Sequence, residues 1–320
     1  MTNKPVLWMP RKLSSATIAR ARRDYELILN EADTESSTDQ IVAMSARVDA
    51  MLPCHSERFD KDVVARLHPR LKIIANHSVG VDHCDIEALR ARNIAVTNTP
   101  DVLSDATAEI ACLLLLGAAR RAIEGDSLVR SGNWDNWSPS FMVGKQITGQ
   151  RLGIVGMGRV GQVVAARARG FDMEVHYHNR RRLPAKSECG ANYHDRLEDL
   201  LRVADFLSLH CPATSETENL INARRLAMLP KGAVLVNCAR GSLVDECALI
   251  QSIESQHLAA AGLDCFACEP GGNPDLRKFK NVFMLPHVGS ATTLTRDAMG
   301  FRALDNIDSF FAGKKPLDLL

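Results

Sequence analysis

Three segments in the last third of the chain each place polar side chains just after an apolar run that is typical of a buried strand. Arg240 follows AVLVNCA, and His287 follows NVFMLP. Asp264 follows LAAAGL, with Glu269 a little further along the same loop. The carboxyl ends of strands in a doubly wound sheet face the ligand crevice, so we expect these side chains to converge there.

These residue types suit the transfer of a hydride to a 2-oxo acid. The carbonyl oxygen gains negative charge as hydride arrives, so it needs a proton donor and a cation close by. His287 is the predicted acid/base, because imidazole exchanges protons near neutral pH. Glu269 would orient that imidazole and favour its protonated form. Arg240 would bind the substrate carboxylate and polarise the carbonyl.

A glycine-rich turn further upstream predicts a dinucleotide site. An apolar run over residues 152–155 leads into Gly156, Gly158 and Gly161, which open a helix rich in alanine and valine. The first glycine permits a tight turn, the second lets a pyrophosphate approach the backbone, and the third allows helix and strand to pack closely. The helix start then offers N–H groups and a favourable dipole to phosphate. A tight turn without a ligand is the alternative.

The position that often holds a ribose-binding carboxylate has none in this chain. That carboxylate usually comes about 20 residues after the first glycine. Here the segment reads His178, Asn179 and then three arginines. Guanidinium groups suit a 2′-phosphate, so we predict that NADPH (NADP) is preferred, with NADH (NAD) possible. Asn179 and Arg180 are the first predicted contacts and Arg181 the next. A solvated basic loop is the alternative.

The elements around these residues alternate between strand-like and amphipathic helical runs, which predicts an α/β fold class. We expect two doubly wound parallel-sheet, Rossmann-like domains with the active site in the cleft between them. The first 100 residues give four predicted strands (KPVLWM, QIVAMS, LKIIANHS and NIAVTNT), and residues 16–29 predict a helix. Residues 150–288 predict six strands. Residues 104–132 predict one long helical region, and residues 291–312 predict a last helix.

Composition excludes several classes of protein. The chain has 320 residues, 46% of them apolar, and a net charge of +1. This balance argues against disordered and coiled-coil proteins, and it gives no general electrostatic case for nucleic acid or membrane partners. The longest apolar run, residues 110–119, is shorter than the about 20 residues of a membrane span. Pro5 and Pro10 come too early for a signal sequence, so we expect a cytoplasmic protein.

The nine cysteines are scattered, with one C-x-x-C formed by Cys265 and Cys268. A structural zinc site would need two more ligands at suitable spacing, and no second paired motif follows. We therefore expect no metal and interpret the pair as packed thiols. A thioredoxin-like redox pair is the alternative.

Several motifs, taken in order, resemble those of the D-isomer-specific 2-hydroxyacid dehydrogenases. They are GMGRVGQ, NCARGSLVDE, GLDCFACEP and LPHVGSAT, with HSVGVDHCDI and VTNTPDVLSDATAE in the N-terminal half. The resemblance implies a discontinuous, flavodoxin-like substrate-binding domain of residues 1–100 plus 289–320, to which the last helix returns. It implies a dinucleotide-binding Rossmann domain of residues 101–288. It also implies a homodimer with residues 104–132 in the interface.

The resemblance assigns roles to individual residues. Arg240, Glu269 and His287 would be catalytic, and Asp264 would contact the nicotinamide carboxamide, although it could equally cap a turn. Thr107 would lie near the cofactor or simply cap a helix. The implied cofactor-binding residues are Thr107, Gly156, Met157, Gly158, Arg159, Val160, Gly161, His178, Asn179, Arg180, Arg181, Cys211, Pro212, Cys238, Ala239, Asp264, Gly289 and Ser290.

Within the family, YHNRRR, TPDVLSDATAE and SGNWDNWSPSFMVG are most similar to glyoxylate/hydroxypyruvate reductases. This implies an NADPH-preferring reductase that converts small 2-keto acids, glyoxylate and hydroxypyruvate, to glycolate and D-glycerate. Trp137 would enter the partner subunit's substrate pocket, or only pack in the dimer interface, and Pro53 would line the same wall. The implied substrate-binding residues are Leu52, Val79, Gly80, Trp137, Arg240 and His287.

Two other functions remain open at this point. A dehydrogenase of the same fold could act on bulkier keto acids such as phenylpyruvate. A nucleotide-sensing, corepressor-like protein could keep the fold without catalysis, because fold alone does not prove activity.

Overall fold

The computed structural model describes residues 4–320. They divide into two compact units, each described by itself below. The first unit consists of the described residues up to Leu103 together with Ser290–Leu320. The second unit is Ser104–Gly289.

The first unit is built on a five-stranded parallel sheet in the order β2-β1-β3-β4-β5. Its strands are β1 Val6–Met9, β2 Glu26–Leu29, β3 Ala50–Met51, β4 Ile73–Ala75 and β5 Ala95–Thr97. Its first helices are α1 Ser15–Asp24, α2 Thr38–Ser45, α3 Lys61–Arg66 and α4 Ile86–Ala91. This strand order is the one found in flavodoxin-like sheets.

The second unit is built on a seven-stranded parallel sheet in the order β12-β11-β10-β9-β6-β7-β8. Its strands are β6 Arg151–Val155, β7 Glu174–His178, β8 Asn192–Tyr193, β9 Phe206–Leu209, β10 Ala233–Asn237, β11 Leu258–Leu263 and β12 Val282–Met284. Its helices are α5 Ser104–Ala119, α6 Ala122–Arg130, α7 Arg159–Arg169, α8 Ala185–Glu188, α9 Leu197–Val203, α10 Ala223–Leu226 and α11 Glu246–Glu254. The order reverses between β6 and β9, and ligands of open α/β sheets bind outside the strand ends at such a point.

The last helix, α12 Thr293–Phe311, belongs to the first unit. Its apolar residues Ala303, Leu304 and Ile307 are fully buried against one face of the sheet, together with Leu7 and Ile73. In the second unit, α5 lies so close to the sheet that a Cβ on Gly117 would fall 2.2 Å from the ring of Phe283. The fold class predicted from the sequence, with two parallel-sheet α/β units, is confirmed.

Two predicted elements of the first unit are wrong. QIVAMS is part of α2 rather than a strand, because Ser37 and Gln40 form a capping box that starts a helix there. The helix predicted over residues 16–29 ends at Asp24, and the residues after Tyr25 form β2. The first sheet therefore has five strands instead of four.

Two predictions in the second unit also need correction. The helical region predicted over residues 104–132 is interrupted at Arg121, whose left-handed φ of 55° separates α5 from α6. The two-residue strand β8 brings the second sheet to seven strands instead of six, and a strand of that length leaves no periodicity to detect.

Candidate active site

The glycine turn joins β6 to α7, and two of its glycines are required by the fold itself. Gly156 has a φ of +92°, and a Cβ there would lie 2.5 Å from the backbone nitrogen of Cys211. A Cβ on Gly161 would lie 2.5 Å from the carbonyl oxygen of Gly156. The turn is further fixed by the Gly156 N–H, which donates to the carbonyl of His178 at 3.0 Å.

Gly158 differs from its two neighbours, because a Cβ at this position would meet no atom within 4 Å. Gly158 is exposed, and no side chain caps the start of α7. The first N–H groups of a helix have no partner within the helix, so here they are available to a ligand together with the helix dipole. Open space over unsatisfied N–H groups fits the pyrophosphate of a dinucleotide.

This contrast gives a paired prediction. Gly158→Ala should raise the dissociation constants of both NADPH and NADH by about tenfold or more and leave the melting temperature within about 2 °C, because the methyl group occupies only ligand space. Gly156→Ala should instead lower the melting temperature, because alanine is strained at the φ of +92° and its Cβ would collide with the backbone of Cys211. Calorimetric binding and thermal unfolding measure the two effects. Normal cofactor binding by Gly158→Ala would show that the pyrophosphate does not bind at this position.

The segment after β7 carries the residues that are predicted to bind the 2′-phosphate. The Asn179 Oδ1 accepts from the Met157 N–H at 2.7 Å, which ties the segment to the glycine turn. Arg180 is 85% exposed, with Glu216 at 3.7 Å as its ion-pair partner. Arg181 is exposed as well. The third arginine, Arg182, is exposed too, but it donates Nε and Nη2 to Glu188, so its guanidinium is held in place.

His178 ends β7 with its ring fixed in one orientation. Its Nδ1 donates to the carbonyl of His194 at 2.9 Å, since a carbonyl oxygen only accepts. Its other ring nitrogen is therefore the one available to a ligand. His178 thus ends β7, and the next residue, Asn179, is hydrogen-bonded to the glycine turn, with the exposed arginines following.

Two further loops end at the same edge of the sheet. Cys211 and Pro212 follow β9, and Cys238 and Ala239 follow β10. His210 directly precedes Cys211, with its Nε2 2.8 Å from Ser208 Oγ and its Nδ1 3.6 Å from Cys238 Sγ. Burial lowers the pKa of His210 to about 4, so this imidazole is neutral at ordinary pH. We interpret it as part of the floor under the cofactor-binding loops.

Asp264 follows β11 and is 1% exposed. Its two carboxylate oxygens accept from the N–H groups of Val288 and Gly289, each at 2.8 Å. Burial raises the pKa of Asp264, and the Val288 N–H opposes that shift. A Cβ on Gly289 would lie 3.2 Å from Asp264 Oδ2 and 3.5 Å from Thr107, so these three residues meet in one place. Asp264 therefore does cap the turn after His287, as one sequence interpretation allowed.

His287 and Glu269 form a hydrogen-bonded pair. The distance from His287 Nδ1 to Glu269 Oε2 is 2.6 Å, and the two side chains are 31% and 25% exposed. The other oxygen of Glu269 accepts from the Phe266 N–H at 2.8 Å. A carboxylate only accepts here, so the Nδ1 of His287 carries the proton of this hydrogen bond. His287 has a φ of 54°, which is uncommon for a residue other than glycine and occurs often at functional sites.

Arg240 follows β10 in a loop shaped by the buried Asn237. The amide of Asn237 donates to the Arg240 carbonyl at 2.8 Å and accepts from the Ala239 N–H at 3.1 Å. A Cβ on Gly241 would lie 1.8 Å from the carbonyl carbon of Phe266. The loop of Arg240 and the loop of Glu269 are therefore in direct backbone contact, as the parallel strand ends predict.

The predicted substrate residues of the first unit also follow strands. Leu52 is fully buried directly after β3, and the Pro53 carbonyl accepts from the His77 N–H at 2.8 Å. Val79 and Gly80 come after β4, where the Asn98 amide donates to the Val79 carbonyl at 2.8 Å and Ser78 Oγ donates to the Gly80 carbonyl at 2.8 Å. Ser290 begins the returning segment of this unit. Trp137, in the second unit, is 73% exposed.

Residues 112–289, more than half of the chain, match the family described as D-isomer specific 2-hydroxyacid dehydrogenase, NAD binding domain. The chain belongs to this dehydrogenase family. It is 41% identical to a glycerate dehydrogenase of Hyphomicrobium methylovorum over 315 residues, which cover 98% of each chain. It is 42% identical to a glyoxylate reductase of Thermococcus kodakarensis over 322 aligned positions, covering 99% of this chain and 96% of the relative.

A solved structure of the family is similar over nearly its full length. It is an NADPH-dependent glyoxylate/hydroxypyruvate reductase of Sinorhizobium meliloti in complex with NADP and malonate, 31% identical, with a TM-score of 0.88 and coverage of 99% and 97%. The family and the names of these relatives identify the chain as an NAD(P)-dependent oxidoreductase of the D-2-hydroxyacid type.

Sequence reasoning missed three residues that shape this dehydrogenase site. Asn237 is a polar residue at the end of an otherwise apolar strand, and this could have been noticed. Gly241 follows Arg240 directly and has an ordinary φ, so its role comes only from the approach of Phe266. Glu188 lies in a polar stretch, and no sequence pattern connects it to Arg182.

Two further observations concern the C-x-x-C motif and the length of the helices. All nine cysteines are free, and burial raises the pKa of Cys265 well above its ordinary value, which disfavours this thiol as a redox group. Cys265 is a packed thiol as expected, whereas Cys268 is exposed. Within residues 4–320, no helix has the length and apolarity needed to cross a membrane.

Proposed function

We propose that the chain is an NADPH-preferring reductase of small 2-keto acids, which converts glyoxylate to glycolate and hydroxypyruvate to D-glycerate. The observation that carries this proposal is the pair of His287 and Glu269 at 2.6 Å, on loops beside that of Arg240. The relatives named as glyoxylate reductase and glycerate dehydrogenase support the substrate class.

The residues divide the work of the reduction. A nicotinamide dinucleotide bound along the glycine turn supplies the hydride. His287 holds a proton on Nε2 and gives it to the carbonyl oxygen as negative charge develops there. Glu269 keeps the imidazole oriented and stabilises its positive charge, as its hydrogen bond to Nδ1 requires. Arg240 binds the carboxylate of the keto acid, and the N–H groups of Val79 and Gly80 bind it as well in this proposal.

The open glycine turn and the loops at the same edge of the second sheet support the proposed cofactor contacts. The N–H groups at the start of α7, from Gly158 to Gly161, hold the pyrophosphate together with Met157, Arg159 and Val160. His178 and Asn179 line the ribose, and Arg180 and Arg181 bind the 2′-phosphate. Asp264, Gly289 and Thr107 lie on the nicotinamide side, with Ser290 next in the chain. Cys211, Pro212, Cys238 and Ala239 line the dinucleotide between these ends.

The cofactor preference is testable through one arginine. Arg180→Ala should weaken NADPH binding by about 1–3 kcal/mol, the size of a lost charged hydrogen bond, and leave NADH nearly unchanged. The Michaelis constants of the two cofactors measure this difference. Arg202→Ala is a matched control, because Arg202 is also exposed and paired only with Asp199 on its own helix. Equal losses for NADPH and NADH would contradict the phosphate pocket.

We also propose a homodimer in which residues 104–132 and the following loop face the partner. This part of the chain carries unusually many exposed apolar side chains, and Trp137 enters the partner's substrate pocket in this proposal. The exposed residues are Leu113, Ile123, Val129, Trp134, Trp137 and Val143.

An aromatic wall formed by Trp137 at the pocket would favour small keto acids over phenylpyruvate. Initial rates with glyoxylate, hydroxypyruvate and phenylpyruvate test this, and no turnover with any of them would favour the nucleotide-sensing alternative.

A further inference from the structure

The segment with the predicted phosphate residues is held at both ends. At its start, Asn179 accepts from Met157 through its side chain, and its own carbonyl accepts from the Tyr193 hydroxyl at 3.3 Å. At its end, the Leu183 N–H donates to the Tyr177 hydroxyl at 3.1 Å. Arg180, Arg181 and Arg182 lie between these two anchors.

Glu188 organises the second anchor. Its side chain is 8% exposed, and its oxygens accept from the Tyr177 hydroxyl at 2.6 Å and from Arg182 Nε and Nη2 at 2.8 and 3.1 Å. A carboxylate withdrawn from water in this way is stable only when its hydrogen bonds are made. Arg182 and Tyr177 lower the pKa of Glu188, so it remains ionised. Its bidentate pairing with Arg182 has the fixed geometry of a planar fork on a carboxylate.

The same pairing separates the three arginines by role. The Arg182 guanidinium is 5.7 Å from the centre of the Tyr193 ring and is directed to Glu188. Among residues 4–320, the ion-pair partner of Arg180 is the exposed Glu216 at 3.7 Å, and such exposed pairs contribute little to stability. Without Glu188, Arg182 would be released, and the Tyr177 hydroxyl that anchors Leu183 would lose the acceptor that orients it.

Resting on the proposed NADPH preference, we infer that Glu188 is a positioning residue for cofactor selection. By holding Arg182 and the Tyr177 hydroxyl, it keeps Arg180 and Arg181 directed at the 2′-phosphate without touching the cofactor. Arg182 acts as an anchor in this arrangement and not as a phosphate ligand.

The test compares the two cofactors in one variant. Glu188→Gln should raise the calorimetric dissociation constant of NADP⁺ by about tenfold and leave that of NAD⁺ within about twofold, because only the phosphate depends on where the arginines lie. Glu216→Gln is the matched control and should not weaken NADP⁺, since Glu216 is exposed and forms no anchor.

Two further variants keep the inference testable if Glu188→Gln folds poorly. Tyr177→Phe removes one hydroxyl and Arg182→Gln removes the fork, and each should weaken NADP⁺ selectively. The double variant Arg182→Gln with Glu188→Gln should bind NADP⁺ only slightly more weakly than either single variant, because both changes break the same contact between Arg182 and Glu188.

The outcomes separate this inference from the proposal on which it rests. Tighter NADP⁺ binding by Glu188→Gln would overturn it, because Arg182 would then be a phosphate ligand that Glu188 restrains. Equal weakening of NADP⁺ and NAD⁺ would reduce Glu188 to a general structural role and overturn it as well. If Arg180→Ala weakens NADP⁺ while Glu188→Gln does not, only the positioning role fails. If Arg180→Ala has no selective effect, the phosphate pocket itself fails.

Discussion

Replacing His287 by asparagine should lower kcat with glyoxylate by about 10³-fold and change the Michaelis constants much less. The expected loss follows from the role proposed for His287 as proton donor to the developing alkoxide, with its imidazole held by the hydrogen bond to Glu269. Asparagine is the better replacement than alanine, because the φ of 54° at this position is tolerated by asparagine. The variant therefore removes the imidazole without adding backbone strain. Steady-state kinetics, with cofactor binding by calorimetry as the control, measure the effect.

Glu269→Gln provides the companion measurement for this pair. Glutamine can still accept from the histidine but carries no charge, so the imidazolium loses its stabilising partner. We expect a smaller loss of kcat than for His287→Asn, and little further loss when both changes are combined, because the two residues act as one unit. If kcat of His287→Asn stays within about tenfold of the unaltered enzyme, another group donates the proton and the proposed role is wrong.

The architecture and the positions of the site residues were predictable from local patterns. Arg240, Glu269 and His287 each follow an apolar run, and parallel strands end at one edge of a sheet, so the sequence alone brings them near each other. The glycine turn was predictable for the same reason, since its spacing lies between a clear strand and a clear helix. The family resemblance agrees with both.

What the sequence did not predict depends on contacts between distant residues or on very short elements. The close approach of Gly241 to Phe266 has no pattern in either segment, and neither does the reach of Glu188 back to Arg182. The apolar run of QIVAMS predicts a strand, but the capping box of Ser37 and Gln40 starts a helix there. β8 has two residues and is formed by its pairing with β7, not by its own propensity.

Replacing Arg240 should cause the second largest loss of activity. This loss should be divided between kcat and KM differently from the loss caused by replacing His287. Arg240→Ala should lower kcat/KM for glyoxylate by about 10³-fold, with the loss shared between a raised KM and a lowered kcat, since in the proposed mechanism the guanidinium binds the carboxylate and also polarises the carbonyl. The side chain lies in a loop fixed by Asn237, so its removal should leave the fold and the cofactor site intact.

Arg240→Lys distinguishes charge from geometry at this position. Lysine keeps the positive charge but lacks the planar fork that matches a carboxylate, so we expect it to recover only part of the loss. Full recovery by lysine would mean that charge alone is needed, and the bidentate role would be wrong. A loss in Arg240→Ala that falls entirely on KM would contradict the polarising role, because an interaction equally strong before and during the reaction changes binding but not turnover. Because the proposed roles of Arg240 and His287 differ in this respect, the division of each loss between KM and kcat tests the mechanism more sharply than the size of either loss.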